Sequence, residues 1–440
     1  MQAEYPLSRG DGGGGTGGRV GLRGRLVTGH PGNAVIDDGT VVMDGGTIQW
    51  CGPTSDLPAG FDAEVRNVPL ILPGLVDVHC HGAGGRTFSA DAEGARLAAA
   101  HHSKEGTTSV LASLVSAPSQ VLLEQIAALR DLVADGTLAG LHLEGPFITK
   151  SMCGAQDPAA IIDGDPALLK QWLEAGRGTV RSLTLAPETG HFGELVQLCR
   201  DYGVVPSLGH TAATAAQTRE VLGGASGGGI DGGAGDGDRP WSATHLFNRM
   251  PSLGHRAAGP VAVMLQVAER APGQMVLELI ADGVHLDPEI VRMVFNLVGP
   301  RSVALITDAM AAAGMSDGHY TLGSLDVLVQ DRVARLAPAR GAHTAEGEEP
   351  GAIAGATSFL LENVRRCVAW GIPLADAVAA ATSTPARLMG LDQDTTRVGA
   401  IAAGYRADVL VATEELELVQ AYRAGTPQTQ ERNDRADNSV

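Results

Sequence analysis

The chain has 440 residues, a formal net charge of −18 and 44% hydrophobic residues. That length accommodates a barrel of roughly 250 residues with a small appended domain, the negative balance disfavours a nucleic-acid partner, and no apolar run reaches the roughly 18 residues of a membrane span. The start carries Glu4, Asp11 and a glycine run rather than a signal peptide's apolar core, and the five cysteines show no CxxC spacing, so the expected setting is cytoplasmic with reduced thiols.

Residues 1–18 are too polar and glycine-rich to offset the entropy of ordering and are expected to be disordered. Short β-type runs at 25–28, 40–43 and 47–51, separated by Asp-Gly turns, predict the N-terminal part of a small β domain over 19–70. From residue 71 the texture changes to buried apolar runs alternating with helical patterns. Eight strands are predicted at 74–78, 108–113, 139–143, 181–185, 204–208, 242–245, 275–280 and 302–307, with helices between them at 90–104, 119–133, 192–202, 213–222 and 287–297. Eight such β-then-α units predict an α/β fold, a (β/α)8 TIM-type barrel over 71–390. Residues 223–238, almost all Gly, Ala, Ser and Asp, read as a flexible insertion. Hairpin material at 320–336 and a polar loop at 337–350 precede helices at 357–369 and 374–381. Strand character returns within 391–425, which predicts a β-sandwich-like domain assembled from both chain ends, followed by a flexible tail at 426–440.

Barrel active sites are built at the carboxyl ends of the strands, and here those ends are polar. Strand one ends in His79-Cys80-His81, strand three in Glu144, strand five in His210, strand six in His245 and strand eight in Asp308, while strand seven leads to His285. His79 and His81, two apart on a strand, point to one side and can share a cation. Singly, each residue also has a structural reading: an ordinary polar pair, a capping or ion-paired carboxylate, a core histidine, an aspartate that caps the next segment. Jointly, at one rim, imidazoles and carboxylates predict a divalent metal site, Zn²⁺ first, with Fe²⁺, Mn²⁺ and Co²⁺ also compatible. Such an ion would lower the pKa of a water to roughly 7, with Asp308 placed to act as general base.

These residues lie in runs that closely resemble the N-acetylglucosamine-6-phosphate deacetylases of the amidohydrolase superfamily. The matching runs are PGLVDVHCHG (73–82), HLEGPF (142–147), LGHT (208–211), THLFN (244–248), ADGVH (281–285) and TDAM (307–310). The resemblance implies removal of acetate from a phosphorylated amino sugar. It implies that Glu144, His210 and His245 hold the principal metal, that His79 and His81 allow a second ion, and that Asp308 is the base. It further implies phosphate contacts from His285 and Arg256, the latter reaching into the neighbouring subunit of a homodimer, and substrate contacts through the backbone N–H groups of Asn248 and Arg249.

Two departures stand out. Gln156 occupies the position, twelve residues after Glu144, where the family usually has a histidine that contacts substrate, and Arg249 replaces a residue that is usually small. A glutamine still donates a hydrogen bond but does not titrate near neutrality. The competing readings are another amidohydrolase, acting on a cyclic amide or an N-acyl amino acid, and a non-catalytic binding protein on the same barrel. The first commonly uses a carboxylated lysine as bridging ligand, and Lys104, Lys150 and Lys170 end no predicted strand.

Overall fold

The computed structural model describes residues 19–30, 35–61, 64–89, 91–224, 240–337, 351–393 and 396–428. The expected disordered start, most of the expected insertion and polar loop, and residues 429–440 of the expected tail lie outside the described residues. Eight strands, Leu75–Cys80, Thr107–Val115, Gly140–Glu144, Val180–Leu185, Val205–Leu208, Trp241–Ala243, Met275–Ile280 and Val303–Ile306, pair side by side in sequence order. Every pairing between them is parallel. All eight are buried almost throughout, because the outward face of the sheet is covered by helices and the inward face by the strands opposite.

Helices that cover the sheet include Ala92–Lys104, Ser119–Ala134, Pro166–Gly176, Phe192–Asp201, Gly259–Arg270 and Pro288–Val298. Their starts follow from local chemistry. Asp91, Asp165 and Asp287 each accept a hydrogen bond from a first-turn backbone N–H, and Pro166 and Pro288 sit where a helix has no N–H to lose. Pro166–Gly176 and Gly259–Arg270 were not among the helices singled out from sequence. The Asp165-Pro166 and Gly259-Pro260 pairs were their signals.

A second sheet of seven strands joins the two chain ends: Val20–Val27, Val35–Asp44, Thr47–Pro53 and Glu64–Pro73 come from the first, and Val409–Ala412, Leu418–Arg423 and Thr426–Gln428 from the last. The two sets meet where Glu64–Pro73 pairs antiparallel with Val409–Ala412. The small β domain is therefore one continuous sheet, closed over Leu22, Leu26, Val41, Ile48, Ile71 and Val411. The hairpin material after the barrel forms a three-stranded meander, Gly318–Leu322, Leu325–Gln330 and Val333–Leu336. No helix among the described residues is long and apolar enough to cross a membrane.

Strands one and eight are not paired along their lengths, so the barrel closes through a short seam at its upper end. Asp308 N donates to His79 O at 2.9 Å, and His81 N to Ala309 O at 2.8 Å. Lower in the seam, the buried Asp77 carboxylate accepts from Thr307 Oγ1 at 2.6 Å and from Thr307 N and His79 N, each at 3.3 Å. Burial raises the Asp77 pKa to about 6 against the opposing pull of these hydrogen bonds. Closure of the seam brings His79, His81 and Asp308 together, although 227 positions separate the last two in sequence (308 − 81). Replacing Thr307 by valine keeps the side chain's shape but strips the Asp77 carboxylate of its shortest bond. The expected loss is about 1–3 kcal/mol, read as a lower urea midpoint. An unchanged midpoint would remove the pair from the account of closure.

Candidate metal centre and active site

Each proposed ligand stands at a strand end. His79 lies within the first barrel strand and His81 just beyond it, Glu144 is the last residue of the third, and His210, His245 and Asp308 follow two residues after the fifth, sixth and eighth. At His210, His245 and Asp308 the backbone turns left-handed, with φ of 47°, 29° and 51°. Such angles are disfavoured for residues with a Cβ and persist where surrounding structure enforces them, as at active sites. Here the turn swings a side chain from the end of the strand over the barrel mouth.

The side chains converge on Glu144. Its Oε1 lies 3.0 Å from His210 Nε2 and 3.1 Å from His245 Nε2, and its Oε2 lies 3.2 Å from His81 Nε2. His79 Nε2 is 3.5 Å from both Glu144 Oε1 and Asp308 Oδ1, and His81 Nε2 is 3.2 Å from Asp308 Oδ1. All six residues are buried. Two donor groups result, Glu144 with His210 and His245, and Glu144 with His79 and His81, so the glutamate stands between two positions for an ion. Asp308 belongs to the His79/His81 side.

The hydrogen bonds on the far side of the rings test whether these residues fit a cation. His79 Nδ1 faces Glu278 Oε2 at 3.1 Å, His81 Nδ1 faces Ser113 O at 3.1 Å, and His210 Nδ1 faces Met152 O at 2.9 Å. Those oxygens only accept, so each Nδ1 carries the proton and each Nε2 turns a lone pair toward the centre. Lone pairs on His79 and His81 then meet at 3.3 Å, and the Nε2 atoms of His210 and His245 lie 3.0 Å apart beside a carboxylate. Acceptors so close need positive charge between them. The demand shows in the imidazoles: burial opposes a positive charge on His79 and His81, yet Glu144 and Asp308 outweigh it, lifting His79 well above the imidazole range and His81 to about 9. Burial likewise pushes Asp308 upward, but His79 and His81 prevail and hold it at about 2. The donor set fits a divalent ion, and the six residues expected as ligands converge on one centre.

Glu278 was missed by the sequence reading. It is a buried carboxylate in the seventh barrel strand, it orients His79, and it accepts from Ser242 Oγ at 3.0 Å. A charged residue inside Val276-Leu277-Glu278-Leu279-Ile280 was the available signal. Below the metal ligands, His142 is held between Ser113 Oγ at 2.9 Å and Thr184 Oγ1 at 2.8 Å. Burial first, and then the charge of His79, keep its pKa well below the ordinary value, so it serves as a neutral support.

A cavity of about 320 Å³ opens above the ligands, lined on one side by His81, Glu144, His210, His245 and Asp308 and elsewhere by Gln156, Asn248, Arg249, His285 and Leu322 of the meander. His285 donates from Nδ1 to Asp282 Oδ2 at 2.8 Å, and that carboxylate raises its pKa despite burial. Asn248 uses its side chain locally, donating to His245 O at 3.1 Å. Arg256 is exposed and lines no part of this cavity. Gln156, expected to face the substrate, lines the cavity and also reaches Glu144: its Oε1 accepts from Ser116 N at 2.7 Å and its Nε2 donates to Glu144 Oε2 at 2.5 Å. The residue thereby holds the central carboxylate in place. Gln156→Ala should therefore weaken metal binding by about tenfold to a hundredfold, the usual effect of removing a group that orients a ligand. Competition between the metal-free protein and a chromophoric zinc chelator measures this, and equal affinities would show that Glu144 is held without it.

The comparisons with known proteins agree with this geometry. The sequence profile described as the amidohydrolase family matches residues 70–428. Among curated proteins, the chain is 29% identical to an N-acetylglucosamine-6-phosphate deacetylase of Bacillus subtilis (strain 168), over 88% of this chain and 92% of that one. It is 32% identical to an N-acetylgalactosamine-6-phosphate deacetylase of Escherichia coli O157:H7, over 84% and 90%. Among solved structures, a mutant N-acetyl-D-glucosamine-6-phosphate deacetylase from Mycobacterium smegmatis, in complex with N-acetyl-D-glucosamine-6-phosphate, superposes with a TM-score of 0.81 at 35% identity, over 94% of this chain and all of the other. With its barrel, its strand-end histidines and carboxylates and a profile match across most of its length, the chain belongs to the amidohydrolase family.

Proposed function

We propose that the protein hydrolyses the acetamide of N-acetylglucosamine 6-phosphate, giving acetate and glucosamine 6-phosphate. The observation that carries this reading is the Glu144 centre: a glutamate, rather than a lysine, stands between two imidazole pairs, with Asp308 at the same mouth. It is supported by the deacetylase relatives that span most of the chain.

Glu144, His210 and His245 would hold the principal ion, and His79 and His81 a second, with Zn²⁺ the best match to imidazole and carboxylate donors. A divalent ion there supplies Lewis acidity toward the acetyl oxygen and makes water a stronger acid. Asp308, the carboxylate on the His79/His81 side of the centre, takes a proton from the attacking water as the C–O bond forms. It returns that proton to the sugar nitrogen as the C–N bond breaks. His285, held by Asp282, and the backbone N–H groups of Asn248 and Arg249 orient the sugar phosphate. Arg256, exposed beside the likewise exposed Leu253, serves the site of the partner subunit in a homodimer. The cytoplasm is the compartment that reduced thiols fit.

Acetate release from N-acetylglucosamine 6-phosphate, set against the galactosamine epimer and the unphosphorylated sugar, tests the reading. Activity should be lost to a chelator and restored by Zn²⁺, and hydrolysis of a dihydropyrimidine with no action on amino sugars would overturn the assignment. Asp308→Asn should abolish turnover while the protein still binds metal through Glu144, His210 and His245, as metal analysis would report. Arg256→Ala should raise KM with little change in kcat, because a phosphate contact remote from the scissile bond acts equally on ground and transition states. An unaltered KM would argue against a phosphate contact across the dimer.

A further inference from the structure

Among the described residues that line the active-site cavity, Arg249 is the one arginine, and no lysine joins it. Among the described residues no carboxylate pairs with it, whereas the other basic group on the substrate side of the cavity, His285, is held by Asp282. A half-buried guanidinium without a counter-charge is a standing electrostatic cost unless an anion arrives with the ligand.

Two further features set this side chain in place. Its backbone is left-handed, with φ of 51°, and its carbonyl accepts from Thr211 N at 3.1 Å, so the residue is fastened to the chain that carries His210. Its side chain then lies along Gly154, in the loop that follows Glu144. A Cβ at position 154 would come within 2.6 Å of Arg249 Nε, 2.9 Å of Cδ and 3.0 Å of Cγ. The arginine thus closes against a neighbour that has no side chain. An arginine merely solvated at a rim would not require that space. The rest of this wall is largely apolar, with Met152, Ala155, Phe247 and Met250, and offers no competing charge.

The geometry points to the Arg249 side chain as a cation that each subunit supplies to its own cavity to bind the substrate's phosphate. This rests on the reading of the substrate as a sugar phosphate, and it goes beyond the backbone role expected of residue 249. The guanidinium fork matches two phosphate oxygens, which an ammonium cannot do. Its consequence is that discrimination for phosphorylated over neutral sugar does not depend wholly on Arg256 of the partner subunit.

Steady-state kinetics on N-acetylglucosamine 6-phosphate and on N-acetylglucosamine test this with the zinc-loaded full chain. Arg249→Ala should raise KM for the phosphorylated sugar by about tenfold to a hundredfold, the factor expected when a hydrogen bond to a charged group is lost. For the neutral sugar kcat/KM should change far less, and Arg249→Lys should recover part of the loss. Arg249→Gln, which keeps most of the stem and removes the charge, should reproduce the effect and serves if Arg249→Ala does not fold. Equal losses on both sugars, or none on either, would overturn the assignment. Should the unsubstituted enzyme turn over neither sugar, the functional reading falls. Calorimetry with glucosamine 6-phosphate and glucosamine then decides the arginine's role separately: tighter binding of the phosphorylated sugar that disappears in Arg249→Ala supports it, and equal behaviour of the two proteins overturns it.

Discussion

The structure depends on one electrostatic demand: imidazole lone pairs and carboxylate oxygens are held within about 3 Å of one another in a buried place. Left to themselves such groups repel, and each would find water more comfortable. Positive charge at the centre turns the repulsion into cohesion, and the same demand is what draws the His79 and His81 pKa values upward. The rest of the barrel can be understood as the frame that keeps these donors from escaping.

That frame is polar well below the ligands. Cys80 N donates to Ser113 Oγ, and from Ser113 a chain of contacts runs through His142 and Thr184 to Thr244 and Ser207. A barrel interior would ordinarily be filled by branched apolar side chains. Here hydroxyls and a neutral imidazole occupy part of it, and because each finds a partner the desolvation they suffer is largely offset. Glu278 and Gln156 extend the same network upward, the one orienting His79 and the other Glu144. Fixing the first ligands through such neighbours restricts their rotamers, which is what gives a metal site its geometry.

Chemistry and recognition rest on different kinds of structure. The ligands and Asp308 sit at or next to strand ends, where the sheet and the seam between Asp77 and Thr307 leave little freedom. The opposite wall of the cavity comes from the loops bearing Gln156, Asn248 and Arg249 and from the meander that contributes Leu322. Loops tolerate substitution because few backbone bonds cross them. The departures from the deacetylase pattern, Gln156 and Arg249, accordingly fall on this wall, while the six candidate ligands at the strand ends follow the pattern.

Much of this was legible in the order of residues. Eight apolar runs separated by helical patterns announced the barrel, and His79, His81, Glu144, His210, His245 and Asp308 pointed to the candidate site by falling at the carboxyl ends of strands, where the barrel mouth opens. Glu278 was visible as a charge in an apolar strand, but nothing local said which ring it served. What only the tertiary structure decided are relations between distant segments: that Gln156 bonds to Glu144, that Arg249 lies on Gly154, that the chain ends share one sheet, and that Asp308 joins the His79 side of the centre. A sequence specifies which groups a segment carries and which face they leave by. Which partner each group meets is set by closure of the whole barrel, because these contacts form between strands and loops that no local periodicity relates.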